Sequence, residues 1–210
     1  MKHYKLTDET IEIEYKGDMI TLHRIECTVA IESKGINVGD KGGYVQSEDN
    51  LSGNAEVYGN AKVYGDAWVS GNAKVYGNAK VYDDAWVYGN AKVYGDAKVY
   101  DDANVYGNAW VYGDAWVYGD AKVYGNAWVY GNAEVYDDAD YIVFKNWWSN
   151  GRFFTWTRSN NMWNIGCFYC TGEELIAKAY KDSERSGREY ERVVKYVQSI
   201  LYDEQKKNEN

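Results

Sequence analysis

Gly53-Asn54-Ala55-Glu56-Val57-Tyr58 is followed at once by Gly59-Asn60-Ala61-Lys62-Val63-Tyr64, and the phrase Gly-[Asn/Asp]-Ala-x-Val-Tyr then runs on in register to Asp138. Valine recurs at every sixth position from Val57 to Val135, with alanine two residues before each. Within the phrase, Ala-x-Val-Tyr alternates in the period-two manner of a strand, so Ala and Val share one face while x and Tyr share the other. Gly with Asn or Asp supplies the positive-φ and side-chain-bonded conformations that a sharp corner needs. A four-residue strand with a two-residue corner cannot bury anything alone. Coils stacked about 4.8 Å apart pair their backbones and enclose one narrow core of Val and Ala.

The number of sides per coil is legible in the corner residues, because side chains one coil apart stack and resemble each other. With three sides, Asn54, Asn72, Asn90, Asn108 and Asn126 align, as do Asp66, Asp84, Asp102, Asp120 and Asp138. The set Asn60, Asn78, Asp96, Asp114 and Asn132 is mixed. This 18-residue superperiod predicts a three-sided parallel β-helix over residues 43–141, with about five coils and roughly 24 Å of length at that spacing.

Leader and tail read as caps. Residues 1–42 hold two alternating stretches, Ile11 to Tyr15 and Met19 to Ile25, around Lys16-Gly17-Asp18, a hairpin suited to covering the first coil, whose bare strand edges would invite aggregation. Residues 142–210 hold aromatic-rich strands expected at 141–148, 152–157 and 162–169. A capping box at Thr171 and Glu174 then opens a short helix, and a second helix spans about 185 to 204. Its stripe of Tyr190, Val193, Val194, Val197, Ile200 and Leu201 packs on the cap or, through Val193, Val197, Ile200 and Leu201, forms an oligomer seam.

The repeat resembles that of hexapeptide-repeat proteins, which implies a left-handed β-helix. The flanks are similar to a narrower group of such proteins common in bacteriophages and prophages. Lys5-Leu6-Thr7-Asp8-Glu9-Thr10, Gly39-Asp40-Lys41-Gly42-Gly43-Tyr44-Val45 and Glu48-Asp49-Asn50-Leu51-Ser52 resemble their leader, and Gly151-Arg152-Phe153-Phe154 with Gly166-Cys167-Phe168 resembles their tail. That group carries no function to transfer, and its label as polymer-forming or cytoskeletal rests on the repeat alone. Hexapeptide β-helices in general include acyltransferases, with a histidine base on the coil, and carbonic anhydrases, whose histidines hold a metal. Here the two histidines, His3 and His23, both lie in the leader. Catalytic residues are therefore not expected, and a diverged acyltransferase is the weakest alternative.

Composition narrows the function further. A net charge of −9 argues against binding a nucleic-acid backbone and suits cations or basic protein faces, or mimicry of DNA. No signal peptide or membrane span is apparent, and three cysteines are too few for a disulfide framework, so the host bacterial cytoplasm is the expected location. Cys167-Phe168-Tyr169-Cys170 with His23 and Cys27 would make four metal ligands, but a rod should hold leader and tail apart. Two ordinary thiols are expected, and no metal site.

Two surface features stand out. Asp83, Asp101 and Asp137 replace the corner glycine on the third corner alone, so Asp66, Asp83, Asp84, Asp101, Asp102, Asp120, Asp137 and Asp138 crowd one edge. Turn chemistry explains some of this, and a basic partner or a divalent cation such as calcium would relieve the remaining repulsion. The second feature is the concentration of indoles at the variable position, with Trp110 and Trp128 on the first side, Trp116 on the second, and Trp68 and Trp86 on the third beside Ser70, the one gap in the tyrosine columns. Exposed aromatic patches mark protein contacts. The sequence thus points to a non-catalytic, phage- or prophage-encoded β-helix that binds a protein partner, a host defence protein or another copy of itself. The alternative is a structural or self-assembling scaffold.

Overall fold

A computed structural model describes residues 3–32 and 35–208. The chain divides into two compact units, Met1–Ile142 with Thr157–Asn160, and Val143–Trp156 with Asn161–Asn210.

The first unit begins with an antiparallel hairpin of β1 (Tyr4–Tyr15) and β2 (Asp18–Cys27), turning at Lys16 and Gly17, both at positive φ. Next, β3 (Lys41–Val45) pairs antiparallel with β2 and parallel with β5 (Lys62–Val63), so the leader extends one face of the coils. That second face continues through β8 (Lys80–Val81), β11 (Lys98–Val99), β14 (Trp116–Val117) and β17 (Glu134–Val135). The first face stacks β4 (Glu56–Val57), β7 (Lys74–Val75), β10 (Lys92–Val93), β13 (Trp110–Val111) and β16 (Trp128–Val129). The third stacks β6 (Trp68–Val69), β9 (Trp86–Val87), β12 (Asn104–Val105) and β15 (Lys122–Val123). Partners lie 18 residues apart, as in Lys92 with Trp110 and Val93 with Val111, so the three-sided stacking read from the corners is the observed one.

Each ladder strand is two residues long, x and Val, where the alternation predicted four. Ala and Tyr turn out of regular strand geometry toward the corners, although the Ala and Val carbonyls still accept from the preceding coil, as in Lys62 N–H to Ala79 and Tyr64 N–H to Val81. Every repeat Val from Val63 to Val135 is 0% exposed, which confirms the inward face. The corners need a left-handed residue in close contact with the next coil. Gly71 has φ +67°, and a Cβ there would lie 3.1 Å from the Gly89 amide nitrogen. The fifth rung of the third side is not a strand, because Asp137 caps a 3₁₀ turn at Asp138–Asp140.

The ladder has a direction: the amides that bond between coils point toward the following coil and the carbonyls that receive them toward the preceding one. The first coil therefore presents acceptors and the last presents donors, and each edge is met by the opposite chemistry. At the acceptor edge, Asn50 Nδ2 donates to the Gly65 and Ala67 carbonyls at 3.0 and 2.9 Å, and the Tyr4 hydroxyl donates to Leu51 O at 3.0 Å. At the donor edge the Lys122 amide meets Asp138 Oδ1 at 2.9 Å, the Glu134 amide meets Ser159 Oγ at 2.7 Å, and the Tyr136 amide meets Asp140 Oδ2 at 2.8 Å.

The second unit is built on the sheet β18 (Tyr141–Lys145), β19 (Phe153–Thr157), β20 (Met162–Ile165) and β21 (Phe168–Cys170), in that order. The third expected strand, 162–169, is split because Gly166, at φ +63°, turns the chain between β20 and β21. The expected capping box starts α1 (Gly172–Asp182), with Glu174 N–H donating to Thr171 Oγ1 and Thr171 N–H to Glu174 Oε2. Helix α2 (Glu184–Asn208) packs on α1, and Tyr190, Val194 and Val197 are buried.

Removal of one whole coil, Gly89–Tyr106, joins Tyr88 to Gly107 and keeps every corner in phase, so cooperative thermal unfolding persists. Removing only Gly89–Tyr94 rotates everything beyond the cut by one side, so that at the junction all three corners pair unlike residues, Asn72 with Asp96, Asn78 with Asp102 and Asp84 with Asn108. We expect the six-residue deletion to melt several degrees below the 18-residue deletion, at ~2–4 °C per kcal/mol for a chain of this size, as followed by circular dichroism.

Candidate interaction surface

The three corners differ in how they are tied. At the first two the second corner residue's amide donates to the corner glycine of the next coil, as in Asn54 to Gly71 O at 2.8 Å. Asparagine ladders run outside these bonds, with Asn54 Nδ2 to Asn72 Oδ1 and Asn72 Nδ2 to Asn90 Oδ1 both at 3.3 Å. At the third corner Asp83 and Asp101 hold the left-handed position at φ 58° and 55°, which Asp tolerates better than most side chains. Their carboxylates reach along the stack. Asp83 accepts from the Asp101 amide, and Asp101 Oδ2 accepts from the Gly119 amide at 3.2 Å.

The structure divides the eight edge aspartates into two sets. Asp83 is buried and clasped by the hairpin tip, its Oδ1 lying 2.6 Å from the donating Tyr15 hydroxyl and 2.9 Å from Lys16 Nζ. Burial alone would raise its pKa, but the bonds from Tyr15 and Lys16 outweigh it and hold the carboxyl below its ordinary range. Asp137 Oδ1 accepts from the Ala139 amide at 2.6 Å, and Asp138 caps Lys122 as described. Asp83, Asp101, Asp137 and Asp138 therefore serve the fold through bonds to backbone amides, although only Asp83 is buried, whereas Asp66, Asp84, Asp102 and Asp120 are exposed and take no such part.

Three of this second set, Asp84, Asp102 and Asp120, line a groove of 600 Å³ with Trp86, Asn104 and Lys122 from the neighbouring column of the third face. Trp86 is 48% exposed and packs edge-on against Trp68, ring centroids 5.4 Å apart. The other expected contact indoles are more engaged. Trp110 stacks on Trp128 at 4.8 Å under Lys92, whose Nζ lies 4.1 Å from the Trp110 ring, and Lys98 Nζ sits 4.0 Å from the Trp116 ring. These cation–aromatic pairs join one coil to the next and occupy the ring faces. Ser70 is buried at 6% exposure, so the gap it leaves in the tyrosine column is not an open niche.

The tyrosines form the three expected columns. Tyr58, Tyr76, Tyr94, Tyr112 and Tyr130 stack at 4.3–4.8 Å, and the runs from Tyr64 to Tyr118 and from Tyr88 to Tyr124 stack similarly. Burial pushes the phenols of Tyr58, Tyr64 and Tyr100 up to about 12.

The remaining candidates resolve differently. His3 Nε2 and His23 Nδ1 each lie 3.1 Å from a backbone carbonyl, those of Ala55 and Thr7. A second cavity, of 620 Å³, lies over β4, but its Glu56 is bonded to Lys74 at 3.0 Å. Cys167 is exposed, while burial pushes the Cys170 thiol up to about 12, far from a reactive thiolate. Among the described residues, no group of three His, Cys, Asp or Glu side chains is placed to hold a metal ion. None of the described helices is long and apolar enough to cross a membrane. On α2, Val197 is buried within its own unit, leaving Val193, Ile200 and Leu201 half-buried as the open part of the expected seam.

Sequence reasoning did not assign Asn104 and Lys122 to the site, since each breaks the pattern of its column only in kind. It also missed the Tyr15–Asp83–Lys16 clasp, whose partners are 68 residues apart. Residues 103–119, about one coil, match the YdcK beta solenoid repeat family. No curated protein matches the chain.

Two outcomes check this division. Asp83→Asn loses the clasp and lowers stability by about 1–3 kcal/mol, whereas Asp102→Asn changes it by no more than ~0.5 kcal/mol, as read from urea unfolding. The Asp83 contribution is full above the unfolded carboxyl's pKa and disappears as pH falls through the lower folded value. At the alkaline end, the raised phenols favour the folded state below the ordinary tyrosine range, and that contribution is lost as pH rises toward about 12. Absorbance titration should show phenolate formation delayed and coincident with loss of the circular dichroism signal.

Proposed function

We propose that this chain is a non-catalytic protein-binding solenoid, phage- or prophage-encoded, that presents the groove of its third face to a basic protein surface. The groove carries this reading: Asp84, Asp102 and Asp120 stand in an exposed column beside the half-exposed Trp86. Backbone ladders fix every coil to the next, so this surface loses little conformational freedom on binding, and rigid presentation favours affinity. Aromatic anchors beside complementary charge are common among the residues that dominate protein interfaces. The leader and tail motifs support the phage origin. An acidic rod that occupies a basic groove meant for nucleic acid would act as an inhibitor of a host defence protein in the bacterial cytoplasm.

Replacing Asp84, Asp102 and Asp120 together with Asn tests the electrostatic part. In affinity capture from host lysate at low salt, we expect the partner's recovery to fall roughly tenfold, with the melting temperature little changed. Capture that is equal for the triple variant and the native chain would remove the groove from the function. Trp86→Ala should slow nothing in encounter but accelerate dissociation, which surface plasmon resonance separates.

A further inference from the structure

The acid excess of the chain lies entirely in the first unit, and the second is close to neutral. On that second unit the turn between β18 and β19 carries two adjacent tryptophans with opposite fates. Trp148 is buried against Phe154 and Tyr190, and its neighbour Trp147 is 69% exposed. Phe153 is 41% exposed on the same hairpin. Cations frame both rings: Arg185 lies 6.0 Å from the Trp147 ring, Lys145 Nζ lies 5.5 Å from the Phe153 ring, and Arg152 is exposed between them in sequence. The turn is well held, with Asn146 N–H donating to Arg152 O at 2.9 Å and Gly151 N–H to Asn146 O at 3.0 Å. Asn146 Nδ2 is anchored to the Tyr190 hydroxyl at 3.1 Å. A rigid turn that holds a large indole mostly in water, touching its own core through one edge-on contact with Trp148 at 6.0 Å, gains little stability from that ring.

We propose that this aromatic, cationic patch docks into the acidic groove of the third face of a second copy of the chain. The two surfaces are complementary in kind. One offers Trp147 and Phe153 with Lys145, Arg152 and Arg185, and the other offers Trp86 with Asp84, Asp102 and Asp120. Single-stranded nucleic acid would also stack on such a patch, but the first unit of the same chain repels a phosphate backbone at long range, whereas it attracts the patch of another copy. The contact is heterologous, using different surfaces on the two copies, so each copy retains one free patch and one free groove and association can continue. The inference rests on the reading of the third face as a protein-binding surface and names its occupant.

Sedimentation velocity over a range of concentrations at low salt tests it. The native chain should associate, and added salt should weaken the association. Lys145→Glu with Arg185→Glu reverses the patch, and Asp102→Lys with Asp120→Lys reverses the groove. Each double variant alone should associate roughly tenfold or more weakly, while a mixture of the two recovers association, because every patch then faces a groove of opposite charge. Trp147→Ala should weaken association without lowering the melting temperature. A monomer at every concentration and salt, association indifferent to these variants, or Trp147-dependent capture of a single-stranded oligonucleotide in place of self-association would each overturn the proposal. A monomeric chain that still captures a basic host protein through Asp84, Asp102 and Asp120 would leave the function proposed above standing without this occupant.

Discussion

The directional hydrogen bond between coils governs the rest of this structure. The amides that bond between coils face one way along the stack and the carbonyls they meet face the other, so the interior of the ladder is self-satisfying and its two ends are chemically opposite. Donor side chains, Asn50 and Tyr4, answer the acceptor end, and carboxylate and hydroxyl oxygens from Asp138, Asp140 and Ser159 answer the donor end. An open solenoid edge is also a template for unwanted strand pairing. Capping by single side chains, together with β3 laid along β5, closes it without another full coil.

This polarity separates residues of the same type into those the coil ends and corners use and those they do not. Asp138 and Asp140 are acidic because the last amides need acceptors, and Asp83 and Asp101 because a carboxylate at a left-handed corner can reach the next coil. Asp84, Asp102 and Asp120 stand exposed in the groove, so their charge is available to a partner. The tryptophans sort in the same way. Trp110 and Trp116 have lysines over their faces, whereas Trp86 keeps nearly half its surface in water.

The coil, its three sides and the inward Val and Ala were legible because each depends on chemistry repeated at fixed spacing. The stacked tyrosines were legible for the same reason. What depends on adjacency created only by folding was not: Asp83 looked like the other edge acids until Tyr15 was placed against it. The strand split at Gly166 was missed because an aromatic-rich run reads as continuous. Trp147 and Trp148 did carry a local signal, since adjacent residues cannot both turn to one core, but only the packing of Trp148 on Tyr190 shows which one remains outside.

Near-identical coils bring a difficulty that ordinary globular cores do not have. A segment displaced by one full turn would meet the same Val, Tyr and Asn neighbours, so most of the stack cannot tell native registry from a slipped one. The irregular positions break this degeneracy: Ser70 where Tyr is the rule, and Asp83 clasped by Tyr15 and Lys16 of the hairpin. By seizing one particular corner, the hairpin sets the origin from which the coils are counted, and a repetitive sequence thereby acquires a unique address for each residue along its surface.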